Sequence, residues 1–545
     1  ERGRDVPDLA TLTLDDEATY RSLRAGRTAG VFQFESPLAT DILRSMRADR
    51  FDDLVASSAL MRPGPLDAGM HRVYCRRKRG EEAVSYALPE LEEILAPTYG
   101  VITYQEQVMR IAQRLAGISL AEADVLRKAV GKKDAGLIRQ EIDKFVEKAN
   151  ARGYEKHVIA ELAAQIETFG RYGFNKSHSV AYSVLSYHTA YLKVHFPAEF
   201  MASLLSACIG DTDSVVKYIS EARDLGLEIL PPDANESGYR FTVIGDTRIR
   251  FGLGAVRNVG HSAIDSIIAA RKTGPFTSLY DFAERVDLRL CNKRVFEALL
   301  HSGAFDSLGG HRAQLVAALD GAIQAASLAQ NEASTGQGSL FGDSSSAHST
   351  TSTLRPTLPT VPELSEHERL TKEKEILGFY ISGHPLEPFR AEAEILASHT
   401  VAALGAWTDQ PMTLAVVVTA IKKQISRKSG NEFARLTVED FSGSGEVLVF
   451  PEAWAAISNR VVADVPVLLK GAYGRRDQGA DNPTFIVESV TRLAELRTSG
   501  QIAVAIDLAP DPALSAGVLA DIRAVVEAHP GSAPLEVRWK GADGA

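Results

Sequence analysis

The sequence has 545 residues, 45% hydrophobic and 24% charged, close to the averages of soluble globular proteins, and at roughly 150 residues per domain it predicts three or four domains. Its 60 Lys and Arg against 70 Asp and Glu leave a net charge of −10, which excludes a uniform polycation and confines any nucleic-acid surface to a local patch. Cys75, Cys208 and Cys291, the three cysteines, exclude a disulfide scaffold or a Cys-rich zinc site and suit a reducing cytoplasm.

The uncharged stretch around Phe200–Gly210 is about half of what a membrane span needs. No signal peptide precedes the first segment, and no membrane partner is expected. The first residue is Glu1 rather than Met, which points to a piece of a longer protein.

Residues 1–205 read as mostly helical, with amphipathic spacing in Asp16–Leu23, Gln105–Leu115, Leu120–Val130, Leu137–Ala151 and Val158–Phe169. Asp15 or Asp16 stands where an N-cap belongs, as does Ser119. Gly30–Phe34 and Tyr99–Tyr104 read as extended pieces, and Arg62-Pro63-Gly64-Pro65 as a rigid turn, because proline disfavours the helical region for the residue before it.

Arg72, Arg76, Arg77, Lys78 and Arg79 follow that turn, either tracking a nucleic-acid backbone or forming a solvated face. Arg127, Lys128, Lys132 and Lys133 lie around Gly131, read as a helix cap; cations at a helix C-terminus are also ordinary charge placement. Thr168–Ala198 contains no Asp or Glu, yet carries Arg171, Lys176, Lys193, His178, His188 and His195 among Tyr172, Phe174, Tyr182, Tyr187 and Tyr191. That combination predicts an anion site with stacking groups, or else a loop and a buried helix whose rings are core.

Asp211-Thr212-Asp213 is the only Asp-x-Asp resembling a two-metal site, but it directly precedes the predicted helix Ser214–Leu225, where Asp is a natural cap. A strand pair, Tyr239–Ile244 and Thr247–Phe251, leads into Gly252-Leu253-Gly254-Ala255-Val256-Arg257-Asn258-Val259-Gly260 and helix His261–Arg271. Arg257 fills the third glycine place of a dinucleotide fingerprint. The better reading is a helix–hairpin–helix, in which the turn of Val256, Arg257, Asn258 and Gly260, entered through Gly252 and Gly254, presents amides to a DNA phosphate. Asn258 stands where such hairpins have a glycine.

A linker, Gln330–Thr360, follows; between Gly342 and Thr360, 10 of 19 residues are Ser or Thr, too polar to bury a core. Inside it, Gln337-Gly338-Ser339-Leu340-Phe341 strands two apolar side chains that call for a partner, as in peptides that plug into a sliding clamp. Helical pattern resumes at Ser365–Leu377. Five runs from Leu414 to Val490, with a helix at Glu452–Ser458 between the third and fourth, predict an OB-fold barrel. Gln501–Ala545 reads as the start of a βαβ unit.

Taken together, the chain resembles the C-terminal half of the bacterial DNA polymerase III α subunits, C-family polymerases of the DnaE type. The resemblance rests on Gly30-Val31-Phe32-Gln33-Phe34-Glu35-Ser36, Arg62–Pro65, Tyr104-Gln105-Glu106-Gln107-Val108-Met109, Leu126–Lys133, Tyr172–Ser179, Pro197–Phe200, Leu230–Asp233, Ser302–Asp306 and Leu377–Pro385. It implies a multidomain α+β chain: helical fingers over 1–235, a helix–hairpin–helix clamp-binding domain over 236–329, and a linker with the clamp peptide Gln337, Leu340 and Phe341 over 330–364. A connecting helical segment over 365–405, an OB domain over 406–495 and a truncated α/β domain contacting the clamp-loader τ subunit over 496–545 would complete it.

The resemblance further implies that Arg127, Lys128, Tyr172 and His178, with Lys176 nearby, grip the incoming deoxynucleoside triphosphate. Lys128, where some relatives have Arg, keeps the charge but loses bidentate geometry. The family's catalytic carboxylates and their Mg2+ belong to a palm that would precede residue 1. No catalytic or metal-ligating residue is therefore assigned in this chain, and it is expected to be inactive alone. Implied partners are primer–template DNA, the β sliding clamp, τ and, through the N-terminal region, a proofreading exonuclease subunit. A noncatalytic DNA-binding scaffold and an error-prone paralogue are the alternatives.

Overall fold

The computed structural model of the chain describes residues 6–132, 135–170, 174–335, 357–405, 407–426, 430–474, 478, 483–498, 504–508, 517–529 and 534–539. It forms two compact units: Glu1–Leu230 with Ser237–Gly252, and Pro231–Glu236 with Leu253–Ala545.

The first unit is built from amphipathic helices that begin where capping side chains stand. The Asp16 carboxylate accepts from the Thr19 amide and starts helix Glu17–Arg24. Ser119 and Glu122 form a reciprocal pair ahead of Leu120–Lys132, at 3.3 and 2.8 Å. Helices Gln105–Ala116, Leu120–Lys132, Ala135–Ala151 and Lys156–Gly170 bury Ile111, Leu115, Leu126, Phe145, Ile159 and Ile166 in one core. A second core joins Tyr20, Val31, Phe34, Leu43 and Tyr187.

Four local expectations are corrected. Arg62 is extended, as a residue before proline should be, but Pro63–Asp67 then closes a short helix, with Pro63 at its first position, where an amide would have no partner. Gly131 lies inside helix Leu120–Lys132 rather than capping it. Gly30–Phe34 is a pair of tight turns, Val31 N–H bonding Thr28 and Phe34 N–H bonding Val31. Within Tyr99–Tyr104, Tyr99 is left-handed at φ 51°, and Tyr104 forms an isolated bridge with Phe174.

The expected strand pair is shorter than read and gains a partner: β1 (Glu228–Leu230) lies parallel to β3 (Arg248–Arg250), which runs antiparallel to β2 (Thr242–Ile244). These strands belong to the first unit. Gly252 ends that stretch packed so closely that a Cβ would stand 2.6 Å from the Arg240 carbonyl carbon.

The second unit carries helices and a closed barrel. Helix Arg312–Thr335 runs past the predicted linker start, and the Gln330 amide donates to the carbonyls of Ala283, Glu284 and Val286. Helix Glu366–Leu377 begins at Ser365 with a Ser365–Glu368 capping box. The barrel strands β4 (Met412–Ile425), β5 (Glu432–Asp440), β6 (Gly443–Val449), β7 (Pro466–Tyr473) and β8 (Phe485–Arg492) close in the order β4-β5-β6-β8-β7. Only the β6–β8 pair is parallel, and helix Pro451–Ile457 lies between β6 and β7, as an OB-fold requires.

Alternate residues, among them Leu414, Val416, Leu436, Val438, Val447 and Leu469, fill its core. At the β7 bulge a Cβ on Gly471 would meet the Ile486 carbonyl oxygen at 2.0 Å, so no larger residue fits. Toward the end, β9 (Val504–Leu508) pairs in parallel with β10 (Leu535–Trp539), with helix Val518–Ala528 between them in sequence. The architecture is a multidomain α+β one: helical segment, hairpin motif and barrel.

Candidate nucleotide and nucleic-acid site

The acid-free window divides into two parts. Tyr187 and Lys193 are core: the Tyr187 hydroxyl accepts from the Asp16 amide at 2.9 Å, and Lys193 is 1% exposed. Phe174, Lys176, His178 and Tyr182 are instead half-buried or exposed at the start of helix Lys176–His195. Arg171 and Tyr172 lie outside the described residues.

Asn175 caps this helix by accepting from the His178 amide at 2.8 Å. Glu106 holds the cap from the other side: it accepts from the Asn175 side-chain amide at 2.9 Å and from the Lys176 backbone amide at 3.0 Å. A carboxylate at a helix N-terminus is favoured by the aligned peptide dipoles. The Gln105 amide donates to the Phe174 carbonyl at 2.9 Å, and the Lys176 ammonium lies 5.6 Å from the centroid of the buried Tyr104 ring. Gln107 fixes the same segment from within, accepting from the Thr103 and Tyr104 amides at 2.8 and 3.0 Å.

Sequence reasoning missed Glu106 as a site residue. Its signal was the Tyr104–Met109 motif, whose partner is 69 residues away.

Arg127 and Lys128 occupy a different element, helix Leu120–Lys132, and share one acid. Arg127 Nε bonds Asp124 at 2.7 Å and Lys128 Nζ bonds its second oxygen at 2.9 Å; the two side chains are 32% and 62% exposed. Hydrogen bonds from Lys128 and Arg127 hold the Asp124 carboxyl below the usual carboxylate range. Two accessible cations on one helix turn, paired with a surface carboxylate, can exchange it for a stronger anion.

The Arg72–Arg79 cluster is mostly engaged within the fold. Arg76 and Arg77 pair with Glu82, Lys78 with Asp49 and Asp53, and Arg79 with Glu81.

In the hairpin, Leu253, Val256 and Val259 are buried, whereas Arg257, Asn258 and Gly260 are exposed. Asn258 has φ 67°, the left-handed conformation for which glycine is best and asparagine the next choice. Its occurrence in place of glycine thus keeps the turn. The Val256 and Val259 amides bond within the turn, and the Arg257 amide and guanidinium reach the carbonyls of Ile376 and Glu375 at 3.3 and 2.9 Å. The exposed amides of Asn258 and Gly260, beside helix His261–Arg271, have no partner among the described residues. Two such donors can hold a phosphate without reading sequence.

Asp211 is a cap, its carboxylate accepting from the Ser214 amide and hydroxyl at 3.2 and 2.6 Å, so Asp211-Thr212-Asp213 does not fit a divalent ion. Among the described residues no group of three His, Cys, Asp or Glu is placed to hold a metal, and no helix is long and apolar enough to cross a membrane. Gln337, Leu340 and Phe341 lie outside the described residues.

Residues 1–153 match the Bacterial DNA polymerase III alpha subunit finger domain, and residues 226–315 match the Helix-hairpin-helix motif. Across 99% of its length the chain is 38% identical to the DNA polymerase III subunit alpha of Mycobacterium tuberculosis, covering 46% of that protein. It is 36% identical over its whole length to the protein of the same name from Pseudomonas aeruginosa, covering 48% of it. The Thermus aquaticus protein of that name is 38% identical over 98% of the chain, of which 43% is covered. The chain thus spans about half the length of these relatives.

Proposed function

We propose, since this chain belongs to the family of bacterial DNA polymerase III alpha subunits, that it serves template-directed DNA synthesis in chromosome replication. The observation that carries the reading is the continuous match of nearly the whole chain to one half of such subunits.

In this reading residues 1–235 act as fingers. Arg127 and Lys128 release Asp124 and take the phosphates of the incoming deoxynucleoside triphosphate, with Tyr172, Lys176 and His178 as further contacts. Glu106 keeps the Lys176 end of the helix in place, so that geometry, rather than rearrangement at each turnover, sets the nucleotide's position. In this reading Mg2+ is held by carboxylates of the longer polymerase, about half of whose relatives' length this chain spans.

The hairpin amides of Asn258 and Gly260, with Gly252, Gly254, Val256 and Arg257 shaping the turn, hold a duplex phosphate, and the barrel over 406–495 meets single-stranded template. Gln337, Leu340 and Phe341 dock on the sliding clamp; residues 496–545 face the clamp-loader τ subunit, and the proofreading exonuclease binds elsewhere on the full-length protein. These assignments place the chain in the bacterial cytoplasm.

Primer extension by the full-length polymerase tests the reading. Arg127→Ala removes a charged donor from the triphosphate, and the nucleotide KM should rise about 10- to 150-fold, with DNA affinity unchanged. Weakened DNA binding at constant KM would reassign Arg127 to the duplex. The clamp contact is tested separately: Leu340→Ala with Phe341→Ala should abolish retention on immobilised clamp and leave DNA binding intact. Unchanged retention would rule the peptide out. The near-complete match to replicative subunits favours this reading over a noncatalytic scaffold.

A further inference from the structure

In Gly30–Ser36 nearly every side chain has a fold role except the largest exposed one. Gly30 has φ 76°, and a Cβ there would meet Leu204 at 2.6 Å. Val31 and Phe34 are 1% and 0% exposed, the Tyr218 hydroxyl donates to Glu35 at 2.8 Å, and Ser36 caps helix Pro37–Met46. Gln33, at φ 65°, turns the chain between the two phenylalanines. Phe32 is left 39% exposed.

Its backbone is not loose, because the Phe32 amide donates to the Thr189 hydroxyl at 3.1 Å and pins the loop to helix Lys176–His195. On that helix the Phe32 ring stacks against Tyr182, itself 37% exposed, with centroids 5.9 Å apart and planes 18° from parallel. The track continues at four-residue spacing. Tyr182 lies 4.5 Å from His178, His178 lies 5.6 Å from Phe174, and the Arg62 guanidinium covers Phe174 at 4.9 Å.

Exposed rings held parallel by a fixed backbone offer area to another flat ring. The surroundings select which. Lys176–His195 contains no Asp or Glu, and the Arg62 guanidinium closes the track over Phe174, so an anionic ligand with aromatic planes is favoured over an acidic or apolar peptide.

We propose that Phe32 and Tyr182 form a stacking platform for unpaired bases of single-stranded DNA. This rests on the polymerase reading for one point only, that the strand is the template ahead of the primer end. The triphosphate remains with Arg127 and Lys128 and their further contacts Tyr172, Lys176 and His178, none of which is part of the platform.

The test uses the whole 545-residue chain and two probes: a single-stranded oligonucleotide carrying 2-aminopurine, whose fluorescence falls on stacking, and a blunt duplex of the same length. Phe32→Ala and Tyr182→Ala should each weaken single-strand binding about 5- to 150-fold and restore the fluorescence, with duplex affinity unchanged. Phe32→Tyr should keep the quench. Both side chains are exposed, and an unchanged unfolding transition verifies that each variant folds. Unchanged single-strand affinity and quench overturn the platform, as does an equal loss for the duplex. So does weaker binding of a free deoxynucleoside triphosphate with single-strand binding intact. Because no probe requires synthesis, failure of the polymerase reading in the Arg127→Ala assay is a separate result.

Discussion

Glu373→Ala is expected to cost the barrel-bearing unit about 3–5 kcal/mol of stability, the loss typical when one partner of a buried ion pair is removed. Glu373 is 0% exposed; one oxygen accepts from Arg312 at 2.7 Å, and the other from the Ile381 and Ser382 amides at 3.2 and 3.0 Å. Arg312, itself 7% exposed, also binds Asp306 through two nitrogens at 2.9 and 2.7 Å. Burial opposes its charge, yet Asp306 and Glu373 together raise its pKa.

The network ties Ser302–Asp306 to Leu377–Pro385, two segments that on sequence alone are unconnected motifs. Gly303 belongs to it as well, since at φ 87° a Cβ would stand 2.5 Å from the Arg312 guanidinium. Alanine strands two amides and takes from the buried Arg312 one of its two carboxylates, leaving it Asp306 and the His301 carbonyl; Glu373→Gln keeps an acceptor for the amides and should cost less. The three tryptophans, Trp407, Trp454 and Trp539, all lie in this unit, so denaturant unfolding followed by tryptophan fluorescence measures both variants. A loss below about 1 kcal/mol for alanine, the size of an ordinary hydrogen bond, would show that the network does not hold the two segments.

The sequence read well where structure is local. Asp16, Ser119, Asp211 and Ser365 start helices because a short polar side chain can reach amides two or three residues on. The barrel was legible because its strands alternate between core and solvent. Local rules applied too broadly account for two misses. The residue before proline is disfavoured in a helix partly through its Cβ, and Gly64 before Pro65 has none, so Pro63–Asp67 can coil. Glycine inside a helix costs about 1 kcal/mol relative to Ala, too little for Gly131 alone to end one.

The remaining misses are long-range. Strand Glu228–Leu230 is three residues long and exists through its pairing with Arg248–Arg250. Lys78 finds its acids 25 and 29 residues away, at Asp53 and Asp49. Glu106 and Phe32 acquire roles through contacts with Asn175 and Tyr182, which no periodicity along the chain encodes.

Lys193→Met is the expected large effect in the first unit, and it joins stability to the exposed rings. The buried ammonium donates to the carbonyls of Arg27 and Ala29 at 3.0 and 2.8 Å and to Glu221 at 2.5 Å. Burial pushes its pKa below the ordinary lysine value even with Glu221 beside it, so desolvation is the larger influence. Methionine keeps the apolar stem but leaves two carbonyls and a carboxylate without their donor, at about 3–5 kcal/mol. Glu221→Met in addition removes the stranded charge and should recover part of the loss, whereas the carbonyls of Arg27 and Ala29 stay unpaired. Those carbonyls anchor the loop that presents Phe32. Hydrogen exchange over residues 27–36 should therefore rise in Lys193→Met and stay high in the double variant, and the 2-aminopurine quench should weaken although no ring has changed. Unaltered exchange in that loop would mean that Thr189, accepting from the Phe32 amide, and Glu35, accepting from the Gly30 amide, suffice to hold it, and that Lys193 acts on stability alone.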